Sequence, residues 1–114
     1  MASGTIQMTA GAVEITSQVT FAEAQANNTH IYVLPQMRLV MVYYQGEGKV
    51  HATGDVLFTV PSEYKPKNQI YAPYIKNANA YGTLAVGAAT GNCTVNNTSG
   101  SVSGRIYAAF VYPY

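Results

Sequence analysis

Tryptophan is absent from this chain, cysteine occurs once, and charge is scarce, with six basic and five acidic side chains in 114 residues. Each shortage excludes something. A net charge of +1 gives no long-range attraction for nucleic acid or an acidic membrane. A single cysteine has no partner for an internal disulfide, so the fold must stand without one. Cys93 alternates with polar neighbours in Gly91-Asn92-Cys93-Thr94-Val95, which reads as a buried, inert thiol on a strand rather than a nucleophile. No apolar run reaches the ~18 residues of a membrane-crossing helix, and no charged-then-apolar leader opens the chain, so the expectation is a soluble domain without membrane insertion. The carboxylates are Glu14, Glu23, Glu47, Glu63 and Asp55, with Glu23, Glu47 and Glu63 in expected loops or turns. That is a poor supply for the paired acids of a glycosidase. Neither His30 nor His51 has a Cys or second His at metal-ligand spacing. There is no Gly-x-Ser-x-Gly, no Cys–His pair and no glycine-rich phosphate loop before a helix. The residues predict no enzyme, no metal and no cofactor.

What is present is apolar and aromatic. Hydrophobic residues make up 48% and charged residues only 10%, against a usual ~25%, a balance found in small domains that hide surface in an oligomer. The ten tyrosines each offer a broad apolar face and a hydroxyl. Most are expected to fill a β core and its rim, with a minority facing a ligand. The length fits one domain with a modest core: residues 1–12 as a flexible lead-in or short neck strand, and 13–114 as the head.

The stretch Gly54 to Pro73 organises the rest. Val56, Phe58 and Val60 alternate with Asp55, Leu57 and Thr59, a period of two that predicts a strand ending at Pro61. Pro61 and Pro66 bracket a polar turn, and Ile70 to Ile75 is again extended. Before it, Ile6 and Met8 suggest a short strand, and Val13, Ile15, Val19 and Phe21 predict a one-side-buried strand, or two short ones, interrupted at Ser17. Residues 22–29 read as a loop with one helical turn at most. Ile31–Leu34 is a strand cut by Pro35. Met37–Tyr44 is apolar on both faces, as is 105–112, which predicts strands covered on both sides, one side by a partner subunit. Gln45–Lys49 should turn the chain into a hairpin with 50–53. Residues 76–82 read as a polar loop, 83–86 as a strand, 87–91 as a turn, Cys93–Val95 as a short strand and 96–104 as a flexible loop. The Asn-x-Thr/Ser triplets at Asn27, Asn92, Asn96 and Asn97 are read as turn-rich composition rather than glycosylation sites. The sum is an all-β fold of about eight or nine short strands, an antiparallel β-sandwich or small jelly-roll-like barrel.

Leu57-Phe58-Thr59-Val60-Pro61-Ser62-Glu63-Tyr64-Lys65-Pro66, together with Ile106–Tyr114, IYAAFVYPY, resembles the C-terminal head domains of siphophage receptor-binding and tail-fibre proteins. The likeness covers about Val13 to Tyr114 and departs at Glu63, where that family often has Gly. The resemblance implies a homotrimer at the phage tail tip or baseplate. It also implies contacts with other tail or baseplate proteins and non-catalytic recognition of a bacterial cell-wall or capsular polysaccharide, with sites that can lie between subunits.

A saccharide site combines an aromatic face with amide or charged hydrogen-bonding groups. Tyr71, Tyr74, Lys76, Asn77, Asn79 and Tyr81 supply both within one strand and loop, and Arg38 and His51, with Tyr43 and Tyr44, form a second candidate cluster. Two other functions compete: a purely structural trimerisation or tip module, and a small bacterial lectin-like adhesin.

Overall fold

The computed structural model describes residues 11–22, 28–77, 79–98 and 102–114. In chain order the strands are β1 (Val13–Glu14), β2 (Thr20–Phe21), β3 (His30–Leu34), β4 (Leu39–Gln45), β5 (Lys49–Val50), β6 (Val56–Thr59), β7 (Ile70–Lys76), β8 (Tyr81–Val86), β9 (Asn92–Thr98), β10 (Ser103–Gly104) and β11 (Ile106–Pro113). Two single 3-10 turns, Thr16–Gln18 and Ser62–Tyr64, interrupt them. Nine strands form one antiparallel sheet in the order β1-β3-β4-β11-β7-β8-β9-β6-β2, and β5 pairs apart with β10. The all-β expectation holds.

The sheet must curl. β1 and β2 stand at its opposite margins, yet only residues 15–19 join them. That link reaches ~20 Å at most, while nine flat strands would be ~38 Å across. Curling brings the two halves face to face as a half-barrel: Phe21 of β2 stacks 6.4 Å from Tyr44 of β4, and Tyr44 lies 5.4 Å from Phe58 of β6. Val33, Val40, Val42, Tyr44, Leu57, Phe58, Leu84, Val86, Val95, Ile106 and Tyr112 fill the concave side. Strand 13–21 is thus two short strands, broken by the turn that contains Ser17.

Several expectations are corrected. The hairpin from β4 to residues 50–53 does not form, because β4 is already paired with β3 along one edge and β11 along the other. The chain leaves at Gly46, and β5 pairs with β10 instead. In β6 a bulge between Val56 and Phe58 breaks strict alternation, so adjacent Leu57 and Phe58 are both fully buried while Val56 is exposed. The polar run after Cys93 is strand as far as Thr98, since pairing with β8 overrides its low β-propensity. There the Asn97 side-chain oxygen accepts hydrogen bonds from both the amide and the hydroxyl of Thr83. Residues 76–82 are a tight β7–β8 hairpin, closed by Lys76 N–H to Ala80 O and by Asn79 at φ 62°. The expected strand at Ile6–Met8 and the loop at 23–27 lie outside the described residues, as do residues 99–101.

The two stretches that carry the phage-head resemblance meet in space. The Pro61 corner closes through Tyr64 N–H to Pro61 O at 2.9 Å. The Tyr64 carbonyl accepts the Tyr112 hydroxyl at 2.8 Å, and its ring stands edge-on to Tyr114 at 5.3 Å.

Candidate functional site

The concave sides of β4 and β11 are buried, but their convex sides are not. Met41, Tyr43 and Val111 are 38%, 45% and 52% exposed, and Met41 faces Val111 across the ladder as Tyr43 faces Ala109. With Tyr32 and Phe110 they line an apolar groove of about 370 Å³. Further along the same face, Ile75 of β7 and Tyr81 of β8 are also exposed and pair with each other. The two-sided apolar pattern thus marks an uncovered face in the single chain.

A different surface opens over β8 and β9. Strand β9 alternates Cys93 and Val95 inward with Asn92, Thr94 and Asn96 outward. Ala85 of β8 sits opposite Thr94, and its small side chain leaves a floor rather than a wall. One end is closed by the Gly87–Thr90 turn, where Gly91 takes φ 74° and the Thr90 hydroxyl oxygen accepts the Asn92 amide at 3.1 Å. The other end is closed by Thr53 and Gly54. Gly54 turns at φ 96°, and its N–H donates to Val95 O at 2.7 Å. The result is an open cleft of about 320 Å³ whose polar wall is Thr53, Gln69, Thr90, Asn92, Thr94 and Asn96.

Tyr71 stands beside this cleft. It pairs with the floor residue Ala85, is 61% exposed, and accepts a 2.8 Å hydrogen bond at its hydroxyl from Gln69 Nε2. The other candidates are dispersed. Tyr81, Asn77 and Asn79 are exposed at the hairpin tip. Tyr81 pairs with Ile75, four residues and so ~13 Å along β7 from Tyr71. Asn77 is engaged there, its Oδ1 accepting the Arg105 amide at 2.9 Å. Tyr74 and Lys76 point into the fold: the Tyr74 hydroxyl reaches Asn97 O, and Lys76 Nζ donates to the carbonyls of Lys49 and Val102. Strand alternation explains this, since Tyr74 and Lys76 share a parity opposite to Tyr71 and Ile75.

Arg38 and His51 do not come together. His51 is 1% exposed, whereas Arg38 sits in the β3–β4 turn at φ 52°. Its Nε donates to Tyr114 O, and its guanidinium lies 4.5 Å from the Tyr114 ring centre. The cleft residues Gln69, Asn92, Thr94 and Asn96 are not legible as a set in the sequence. Their one visible signal is the alternation of polar Asn92, Thr94 and Asn96 with Cys93 and Val95.

Elsewhere the chemistry is quiet. Glu14 Oε2 lies 2.7 Å from His30 Nδ1 and accepts the Thr16 hydroxyl at 2.8 Å, and the hydrogen bonds from His30 and then Thr16 hold its carboxyl below the ordinary 4.5. The carboxylate stands between the imidazole and the hydroxyl, so no base–nucleophile relay forms. Burial pushes the Cys93 thiol up, and burial with the neighbouring Cys93 does the same to the Tyr112 phenol. Among the described residues no cluster of His, Cys, Asp or Glu could hold a metal ion, and no helix is long and apolar enough to cross a membrane. No protein-family model matches the chain, and searches of curated proteins and of solved structures return no match either.

Proposed function

We propose that this chain is the head of a bacteriophage receptor-binding protein, carried at the tail tip, that recognises a bacterial surface glycan without altering it. The observation that carries the reading is the β8–β9 cleft, a hollow walled by amides and hydroxyls beside the exposed ring of Tyr71. Saccharides need this combination, because a sugar ring has an apolar C–H face and a rim of hydroxyls. Contact between the Pro61 corner and the C-terminal Tyr112–Tyr114 run supports the resemblance, since both stretches that carry it build one structural unit. Homotrimerisation would cover the apolar convex face of β4 and β11 and would multiply weak monovalent sugar contacts.

The second reading, a structural tip module that only trimerises, is favoured by the apolar lining of the groove around Met41 and Val111. Light scattering and adsorption of the same fraction to intact bacterial cells separate the two. A mass about three times the 12.2 kDa chain with cell binding is expected. A trimer that binds no cell or glycan selects the tip module, and a monomer removes the account of the apolar face.

A further inference from the structure

We infer that the β8–β9 cleft selects an uncharged glycan, a neutral hexose or N-acetylhexosamine chain, over surface polymers bearing phosphate or carboxylate. The inference rests on the glycan-binding reading above and specifies its ligand. No described residue lining the cleft is charged: Thr53, Gln69, Thr90, Asn92, Thr94 and Asn96 supply its polar groups, with Gly54, Gly87, Ala85 and Val95 completing it.

The internal hydrogen bonds decide what these groups offer. Asn92 Oδ1 accepts the Thr59 hydroxyl at 2.7 Å, which turns the Asn92 Nδ2 donors outward. Asn96 does the reverse: its Nδ2 donates to the Thr83 hydroxyl at 3.1 Å, leaving Oδ1 as an acceptor. Gln69 Nε2 is held by the Tyr71 hydroxyl, so its Oε1 also accepts. The Thr94 hydroxyl, between Asn92 and Asn96 on β9, can do either. Donor, two-way hydroxyl and acceptor therefore follow one another along the strand. A sugar hydroxyl donates and accepts at once and is met by such a row. A phosphate or carboxylate only accepts, and the outward carbonyl oxygens of Asn96 and Gln69 would repel it.

Among the described residues no cation lines the cleft. Lys65, beside the Gly87–Gly91 turn, directs Nζ to Ala89 O at 2.9 Å, outside the lining. Arg105 donates to Gly46 O, Lys76 is buried, and exposed Lys67, two residues before Gln69, is not among the lining residues. At the Gly54 end the nearest ionisable side chain in sequence is the carboxylate of Asp55, which accepts the Ala52 amide. An anion entering the cleft would lose hydration and meet no charged group on its lining. The bond from Gln69 also fixes the Tyr71 phenol at the rim, where its ring can take the C–H face of a neutral pyranose.

The test is binding of the whole chain to an immobilised panel. Neutral glucose, galactose, rhamnose and N-acetylglucosamine oligosaccharides are set beside sialylated, uronate and glycerol-phosphate polymers, at low and high salt. Neutral members should bind with unchanged strength as salt rises, because no ion pair is being screened. Tyr71→Ala should weaken binding about tenfold through loss of the ring face, and Thr94→Val about fivefold through loss of one hydroxyl, both with unaltered melting temperature. Binding confined to anionic members, or binding that falls with salt, overturns the inference and leaves the glycan-binding reading intact. Neutral binding untouched by both substitutions moves the site off the cleft and overturns the inference alone. A folded chain that binds neither the panel nor bacterial cells overturns both.

Discussion

Gly82 of β8 occupies a position that admits no side chain. It pairs with Tyr74 on one side and Thr98 on the other, and its φ is not in the left-handed region, so conformational freedom is not the reason. Space is. A Cβ there would overlap the backbone carbonyl oxygen of Asn97 and lie 2.6 Å from the Tyr74 hydroxyl and 2.7 Å from Cε2 of its ring. Tyr74 is 2% exposed, and its hydroxyl donates to that same Asn97 carbonyl. Gly82→Ala therefore overpacks the β7–β8–β9 ladder, at a cost of about 1–3 kcal/mol, and disturbs a hydrogen bond with a net contribution of about 1 kcal/mol. At about 4 °C per kcal/mol for a domain of this size, the melting temperature should fall by roughly 10 °C. Gly48→Ala is the control: nothing lies within 4 Å of its Cβ, and its change should stay within about 0.5 kcal/mol. Thermal unfolding followed by circular dichroism measures both. Adding Tyr74→Ala should not restore the loss, because it empties a buried site in the core and the Asn97 carbonyl, being backbone, cannot rotate away. A Gly82→Ala protein that melts with the parent would refute the steric account.

Three further outcomes are expected. Met41→Lys and Val111→Lys place charge on the exposed convex face and should reduce the scattering mass to one chain while the circular dichroism spectrum stays unchanged; an unchanged mass would clear this face of any role in assembly. Cys93, wholly buried and with its thiol pushed up by burial, should resist a thiol-specific aromatic disulfide in the native protein and react once per chain in denaturant; prompt native reaction would contradict the burial. Glu14 has a folded-state pKa below 4.5, so the stability it contributes is present above that value and is lost as pH falls through the lowered folded value. The melting temperatures of wild type and Glu14→Gln should therefore differ at about pH 6 and converge near pH 2, and parallel curves would rule the pairing out as the cause.

Much of the fold is legible because it depends on local period. Val40, Val42 and Tyr44 alternate with Met41 and Tyr43, and this alternation alone places β4 and separates its two faces. Pro61 ends its strand because proline cannot donate to a ladder, wherever the rest of the chain goes. Scarcity of charge likewise follows from composition and is the same in any fold. The errors fall where pairing decides. Residues 50–53 have hairpin chemistry, but β4 has no free edge for them, because Ile106–Pro113, distant in sequence, takes it. Asn96–Thr98 looks like loop until β8 supplies hydrogen-bond partners. The bulge that buries both Leu57 and Phe58 is a property of two strands, not of one.

The site divides in the same way. Exposed tyrosine at position 71 follows from strand parity, whereas its association with Gln69, Asn92, Thr94 and Asn96 requires β7, β8 and β9 to be neighbours in one sheet. The sequence alone determines the strongly alternating strands and which of their faces are apolar, since both follow from side chains two residues apart. Only the tertiary structure decides that Tyr71 borders an uncharged cleft while Tyr74, Lys76 and His51 turn inward, since that depends on which strands meet and how the sheet curls.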